Sequence, residues 1–173
     1  MSGPTTLDRR DAALAELAAP LGALLHTVNN ALAVISTTTF ALQIEQRLSD
    51  ADADAILGGI EAARVAFASF EPIVSSRGAP ETAVPGILPL ELGSTVSAMV
   101  GRATQVQWQG APPHVSDLTR ATRRLLAAVW TATDELAATR VTVIPSVVNG
   151  CVSVSVTTPD GRVWGPVPIG VPV

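Results

Sequence analysis

The sequence predicts an α+β fold: a long helical hairpin that pairs with a second copy into a four-helix bundle, followed by a small α/β layer. Three observations carry this. Apolar residues in the first half recur every three or four positions over two long stretches. A Gly-, Pro- and Ser-rich segment, "SSRGAPETAVPG", then breaks the pattern at residues 75–86. Beyond it, alternating runs such as "RVTVIPSVVNGCVSVSVTT" replace the helical period. The chain therefore divides into a helical region, 1–77, a linker, 78–86, and an α/β region, 87–173.

In the first helix Leu14, Leu17, Leu21, Leu25, Val28, Leu32, Ile35, Thr39 and Leu42 form a heptad-like seam. Pro20 interrupts it, as a kink or as the first turn of a new segment. Leu24, Val34 and Phe40 widen the apolar face to bundle width. Ser49, Asp50 and Asp52 are capping residues for a second helix over residues 52–77. Its stripe is Ile56, Ile60, Ala63, Phe67, Phe70 and Val74. One hairpin cannot bury two broad apolar faces, so a homodimer is expected. Gly58 and Gly59 weaken this helix, and close packing near the bundle end is one reason to keep them.

In the second half, "PLELGSTVSAMVGR" reads as a short helix, "TQVQWQG" as a strand and "APPH" as a loop. Asp117 caps a helix through about residue 138, with Leu118, Leu125, Val129, Ala132 and Leu136 inward. Asn149-Gly150 centres a hairpin, and "PDGR" is a further turn. The tail "VWGPVPIGVPV" has too many prolines for a central strand. Trp108 and Trp164 fit core or edge packing better than an exposed anchor role.

Composition excludes several classes. The 173 residues are 47% hydrophobic with a net charge of −4 and no lysine, so no basic field points to nucleic acid. The single cysteine, Cys151, forbids an internal disulfide, which fits a reducing compartment. His26 and His114 are far apart and lack Cys or clustered acids, so a structural zinc site has no support. The first 20 residues have no apolar h-region, so no secretory signal is expected there, and no uninterrupted apolar run reaches membrane-spanning length. A cytoplasmic protein with no metal or cofactor of its own is expected.

The stretch "LLHTVNNALAVIS", residues 24–36, carries the candidate chemistry. His26 stands just outside the seam, with Asn30 one turn on and Asn29 beside it. Gly22, Ala23 and Ala33 surround it with little bulk, so another protein's backbone can approach. A neutral imidazole keeps a lone pair on one nitrogen and is a competent nucleophile near neutral pH. A lone histidine on a helix is most often only a surface residue. The asparagine pair tilts the balance, because asparagine is a poor helix former. Arg120, Arg123 and Arg124 share one face of the later helix; they either meet an acidic partner surface or form a solvated face. Asp134 and Glu135 read as helix-end charges.

These features together resemble the histidine kinases of two-component signalling. "HTVNNALAVI" is similar to their H-box, in which His26, Asn29, Asn30, Leu32 and Ile35 all fall in place. "IEAARVAFASFEPIVSSR" resembles their second dimerisation helix. More weakly, "SDLTRATRRLLAAVWTATDELAATRVTV" looks like the helix and strand of their ATP-binding domain. Thr27 replaces the acid that follows the family's histidine. Thr131 stands where the family has its Mg²⁺-binding asparagine, and "DGRVWG" from Asp160 is only a remnant of the adenine-binding box. Phosphoryl transfer from ATP needs a metal and a phosphate cradle.

The resemblance thus implies a degenerate, truncated kinase-like α/β domain that does not use ATP. It is similar to the Spo-type and Chp-type histidine phosphotransferases. That implies His26 as phosphoacceptor, with Asn30 and Asn29 in support. It also implies response-regulator receiver domains as partners, docking over Gly22, Ala23 and Ala33, and Mg²⁺ supplied by the receiver. The alternative is a non-enzymatic pseudokinase that serves as a dimeric scaffold with His26 idle.

Overall fold

The computed structural model describes residues 5–68, 70–75, 83–90 and 92–173. The fold is mixed α+β, led by a very long helix. Helix α1 (Thr6–Ile44) is followed by α2 (Asp50–Ala68), α3 (Glu71–Ser75) and strand β1 (Gly86–Ile87). Then come α4 (Gly93–Val100), β2 (Gln105–Trp108), β3 (His114–Val115) and α5 (Leu118–Glu135). Strands β4 (Arg140–Val148), β5 (Cys151–Thr157) and β6 (Val163–Gly170) close the chain.

Helix α1 opens on a capping box: the Thr5 hydroxyl accepts from the Asp8 N–H while Asp8 accepts from the Thr5 N–H. The helix continues through Pro20. The proline removes one N–H donor, and the turns on either side hold the register. Ser49 begins α2 in the expected way, accepting from the Asp52 N–H at 3.2 Å. Helix α2 then packs back on α1, with Ala53 and Ile60 buried.

The second helix does not run unbroken to residue 77. It stops at Ala68 and restarts at Glu71. Pro72 explains the break: it has no N–H for the carbonyl four residues back, and its ring crowds that carbonyl. Phe70 and Ile73 instead donate to carbonyls three residues earlier. The end of the expected helix, residues 76 and 77, and most of the expected linker, 78–82, lie outside the described residues.

The four-stranded sheet has the order β2-β4-β5-β6, with β2 parallel to β4 and the rest antiparallel. The β4–β5 hairpin turns at Asn149 (φ 51) and Gly150 (φ 73), the two left-handed positions that a tight two-residue turn requires. The proline-bearing tail is strand β6 at the sheet edge, where missing N–H donors cost no ladder bonds on the open side. His114, expected in a loop, pairs with Ile87 in a short two-stranded ribbon.

Helix α5 is the centre of the core. Asp117 caps it by accepting from the Arg120 N–H. Leu125, Val129 and Ala132 are fully buried, while Leu118 and Leu136 are half-buried. They meet Val141, Val143, Val152, Val154 and Val156 of the sheet and Leu92 and Val96 from α4. The same cluster takes in Leu7 and Leu14 of α1 and Ile73 of α3. The core therefore crosses the expected boundary at residues 78–86. Trp108 and Trp164 pack half-buried against it. Along the expected α1 seam Leu14 and Thr39 are buried, but Leu17 and Ile35 are exposed.

Helix α1 is also long and apolar enough to cross a membrane, with a mean hydropathy of 1.3 over its qualifying stretch. That corrects the impression left by scanning for uninterrupted apolar runs. A helix of an apolar bundle meets the same criteria, so this property assigns no location.

Two glycine substitutions have opposite expected signs. A Cβ on Gly165, at φ +98, would lie 2.8 Å from the Val154 carbonyl oxygen, so Gly165→Ala lowers stability by more than about 1 kcal/mol. A Cβ on Gly58 would meet nothing within 4 Å inside the chain, so Gly58→Ala raises stability by about 0.5–1 kcal/mol. Urea midpoints at protein concentrations spanning any self-association check both.

Candidate functional site around His26

His26 lies on the exposed surface of α1. The Asn30 side-chain nitrogen is 3.1 Å from His26 Nε2, the contact expected of residues one helical turn apart. In the ring tautomer that carries its proton on Nδ1, Nε2 can accept a hydrogen bond from this amide. The imidazole is thus held by an amide that brings no charge. Asn29, Ala23 and Ala33 are exposed and Gly22 is half-buried. The structure thus keeps a low-bulk surface around the imidazole.

Thr27 does not substitute for a neighbouring acid. Its hydroxyl donates to the Ala23 carbonyl at 2.9 Å. Among the described residues no cluster of three or more His, Cys, Asp or Glu side chains is placed to hold a metal.

The three arginines of α5 separate. Arg123 Nε lies 2.8 Å from Asp11 Oδ1, and Arg124 Nη1 lies 2.8 Å from Asp8 Oδ1 and 3.6 Å from Asp11 Oδ2. Their charges are committed to α1 rather than free for a partner. Arg120 has no ion pair among the described residues and lines a polar cavity of about 510 Å³ with Asp8, Asp11 and Asp117. Sequence reasoning missed this clamp. The signal was Asp8 and Asp11, one turn apart on the one helix that could answer Arg123 and Arg124, but pairing across more than a hundred residues has no spacing rule.

The clamp has a second half. Arg10 pairs with Asp134 at 2.5 Å and lies 4.4 Å from the centre of the Trp130 ring. Arg102 approaches the same carboxylate at 3.9 Å. Glu135 accepts from the Trp164 indole N–H at 2.7 Å. Thr131, 1% exposed, turns its hydroxyl to the Ala127 carbonyl at 2.7 Å. The remnant glycines are structural: Gly161 (φ 85) makes the β5–β6 turn, and Gly165 is where β6 comes close to β5. Asp160 is held below the usual carboxylate range by the Thr158 hydroxyl and then by Arg162. Thr131, Asp134, Glu135 and Asp160 each have a hydrogen bond or ion pair within the chain.

The Asp8 carboxylate is lowered from 3.8 to about 2, first by the Thr5 hydroxyl, then by Arg124 and the Thr5 N–H. A lowered carboxylate stabilises the fold fully above its unfolded value and loses that contribution as pH falls through its folded one. The Asp8 contribution is therefore complete above pH 3.8 and lost as pH falls through about 2. Urea midpoints of the wild type and Asp8→Asn should differ near neutral pH and converge as the pH is lowered over that window. For the imidazole, ¹⁵N spectra at a pH where His26 is neutral should show Nε2 unprotonated; Asn30→Ala should mix the two tautomers. A scan against models of known protein families finds no match, and a search for similar characterised proteins finds none.

Proposed function

We propose that the protein is a histidine phosphotransferase of a two-component phosphorelay, with His26 as phosphoacceptor. The observation that carries this is the exposed imidazole on a low-bulk surface, with the Asn30 amide 3.1 Å from Nε2. In the transfer, Nε2 attacks the phosphorus of a receiver's aspartyl phosphate. The P–O bond to the aspartate breaks, and the carboxylate leaves. In the tautomer with the ring proton on Nδ1, no base has to deprotonate Nε2 first, which fits a site where Thr27 stands in place of an acid. Asn30 must give up its hydrogen bond to Nε2 and is then free to contact a phosphoryl oxygen. Receiver and bound Mg²⁺ supply the charge on the other side.

The remaining parts of the reading follow the surface. Leu17, Leu24 and Ile35 are exposed, two of them by 54%, and lie on one side of α1 with half-buried Val28 and Leu42. A second copy covering this stripe would turn α1 and α2, taken as a helical hairpin, into a four-helix bundle. Two residues along a helix is about half a turn, so the stripe at Leu24 faces away from His26 and dimerisation leaves the histidine open. Arg120 remains available to an acidic receiver surface. A degenerate kinase-like layer without ATP use is supported by the internal pairing of Thr131, Asp134, Glu135 and Asp160. The reading places the protein in the cytoplasm.

One observation favours the scaffold alternative: the Asn30 contact ties up the lone pair that would attack. Phosphorylated receiver domains decide between the two. Acid-labile, base-stable phosphate should appear on the protein from at least one receiver, be absent in His26→Ala, and not form from MgATP alone. Asn30→Ala should slow the transfer by about tenfold or more. A folded dimer that takes label from no receiver would establish the scaffold instead.

A further inference from the structure

A cavity of about 710 Å³ is lined by residues of α2, α3, α4, α5 and β1. Val65, Ala68, Pro72, Ile87, Pro89 and Leu118 supply apolar walls. This is the size and character of a small-molecule site, in which a few polar groups fix orientation. Two such groups are unused. Thr122 is 6% exposed and lines the cavity, and its hydroxyl has no hydrogen-bond partner among the described residues. That is unlike its neighbours on α5: Thr131 and Thr133 both donate to the carbonyl four residues back, at 2.7 Å. The hydroxyl is not sealed off, since the buried side-chain atom without a partner among the described residues is Arg10 Nη1, so Thr122 is open to a group that enters the cavity. Glu71 adds a carboxylate at the rim that has no cationic partner among the described residues.

The structure assigns this cavity to a small apolar amine: a hydrophobic body, an ammonium group answering Glu71, and a hydrogen-bonding group answering Thr122. The carboxylate disfavours anions of the same shape. The ligand would touch α2 and α3 on one side and α4, α5 and β1 on the other, so binding would brace the helices against the α/β layer. This assignment is independent of phosphoryl transfer at His26.

Tryptamine is a suitable probe, because it carries an ammonium and a ring N–H on an apolar body; indole-3-propionate is its anionic counterpart. Calorimetric titration of the full chain should give saturable binding of one tryptamine per chain and an upward shift in Tm. The anion should bind at least about tenfold more weakly. Thr122→Val, which keeps the shape, should weaken tryptamine by roughly three- to tenfold. Glu71→Gln should bring amine and anion to within about threefold of each other. Val147→Ala, at the exposed end of β4 and outside the cavity, should change neither. The assignment is overturned by absence of saturable binding, by equal affinity for amine and anion in the wild type, or by binding that is indifferent to both cavity variants.

Discussion

The first turns of α1 are fastened to α5 by two kinds of contact that do different work. Arg123 and Arg124 reach Asp11 and Asp8, and Arg10 reaches Asp134 across the face of Trp130. Partly exposed ion pairs contribute about 0–1 kcal/mol each. Burial of Leu7 and Leu14 in the same seam contributes roughly 1.5–3 kcal/mol per side chain. Apolar burial therefore supplies most of the holding energy, and the charges fix the direction in which α1 crosses α5. Everything further along α1, His26 included, inherits its position from that anchor.

The anchor also settles what the α/β layer has available. Asp134 and Glu135 occupy the end of a helix that presents acids to solvent, yet they answer Arg10, Arg102 and Trp164. Thr131 turns inward. Arg162, from the turn after β5, donates to the Leu136 carbonyl at 2.6 Å and so closes the same helix end. Charge that might have met a ligand is consumed in holding helix, sheet and α1 together. Elsewhere among the described residues, Arg120, Glu71 and the Thr122 hydroxyl have no such partner.

Much of this was legible in the sequence because the determining interactions are local. The Asn149-Gly150 turn, the Asp117 and Ser49 caps and the exclusion of the proline-rich tail from a central strand depend on backbone preferences that a few residues state. His26 and Asn30 were readable as neighbours from helical spacing alone. The break before Glu71 was hidden because the apolar period carries on through Phe67, Phe70 and Val74, while Pro72 overrules it. The pairing of Arg123 and Arg124 was hidden for a different reason. Exposed arginines look alike whether a carboxylate waits on a partner or on a distant turn of the same chain. Thr122 was likewise invisible, since only the surroundings reveal that its hydroxyl lacks an acceptor.

The account rests on α1 and the α/β layer behaving as one body, so that the histidine has a defined position relative to the layer. Spin labels at Thr38→Cys, on exposed α1, and Val147→Cys, at the tip of the β4–β5 hairpin, in a Cys151→Ser background, measure this directly by pulsed electron resonance. Dilution with unlabelled chain isolates the distance within one chain. A single narrow distance that broadens on Arg10→Ala combined with Arg123→Ala is the result the account predicts. A broad or multiple distribution in the otherwise unaltered protein would contradict it, because α1 would then be swinging free of the layer that is meant to position His26.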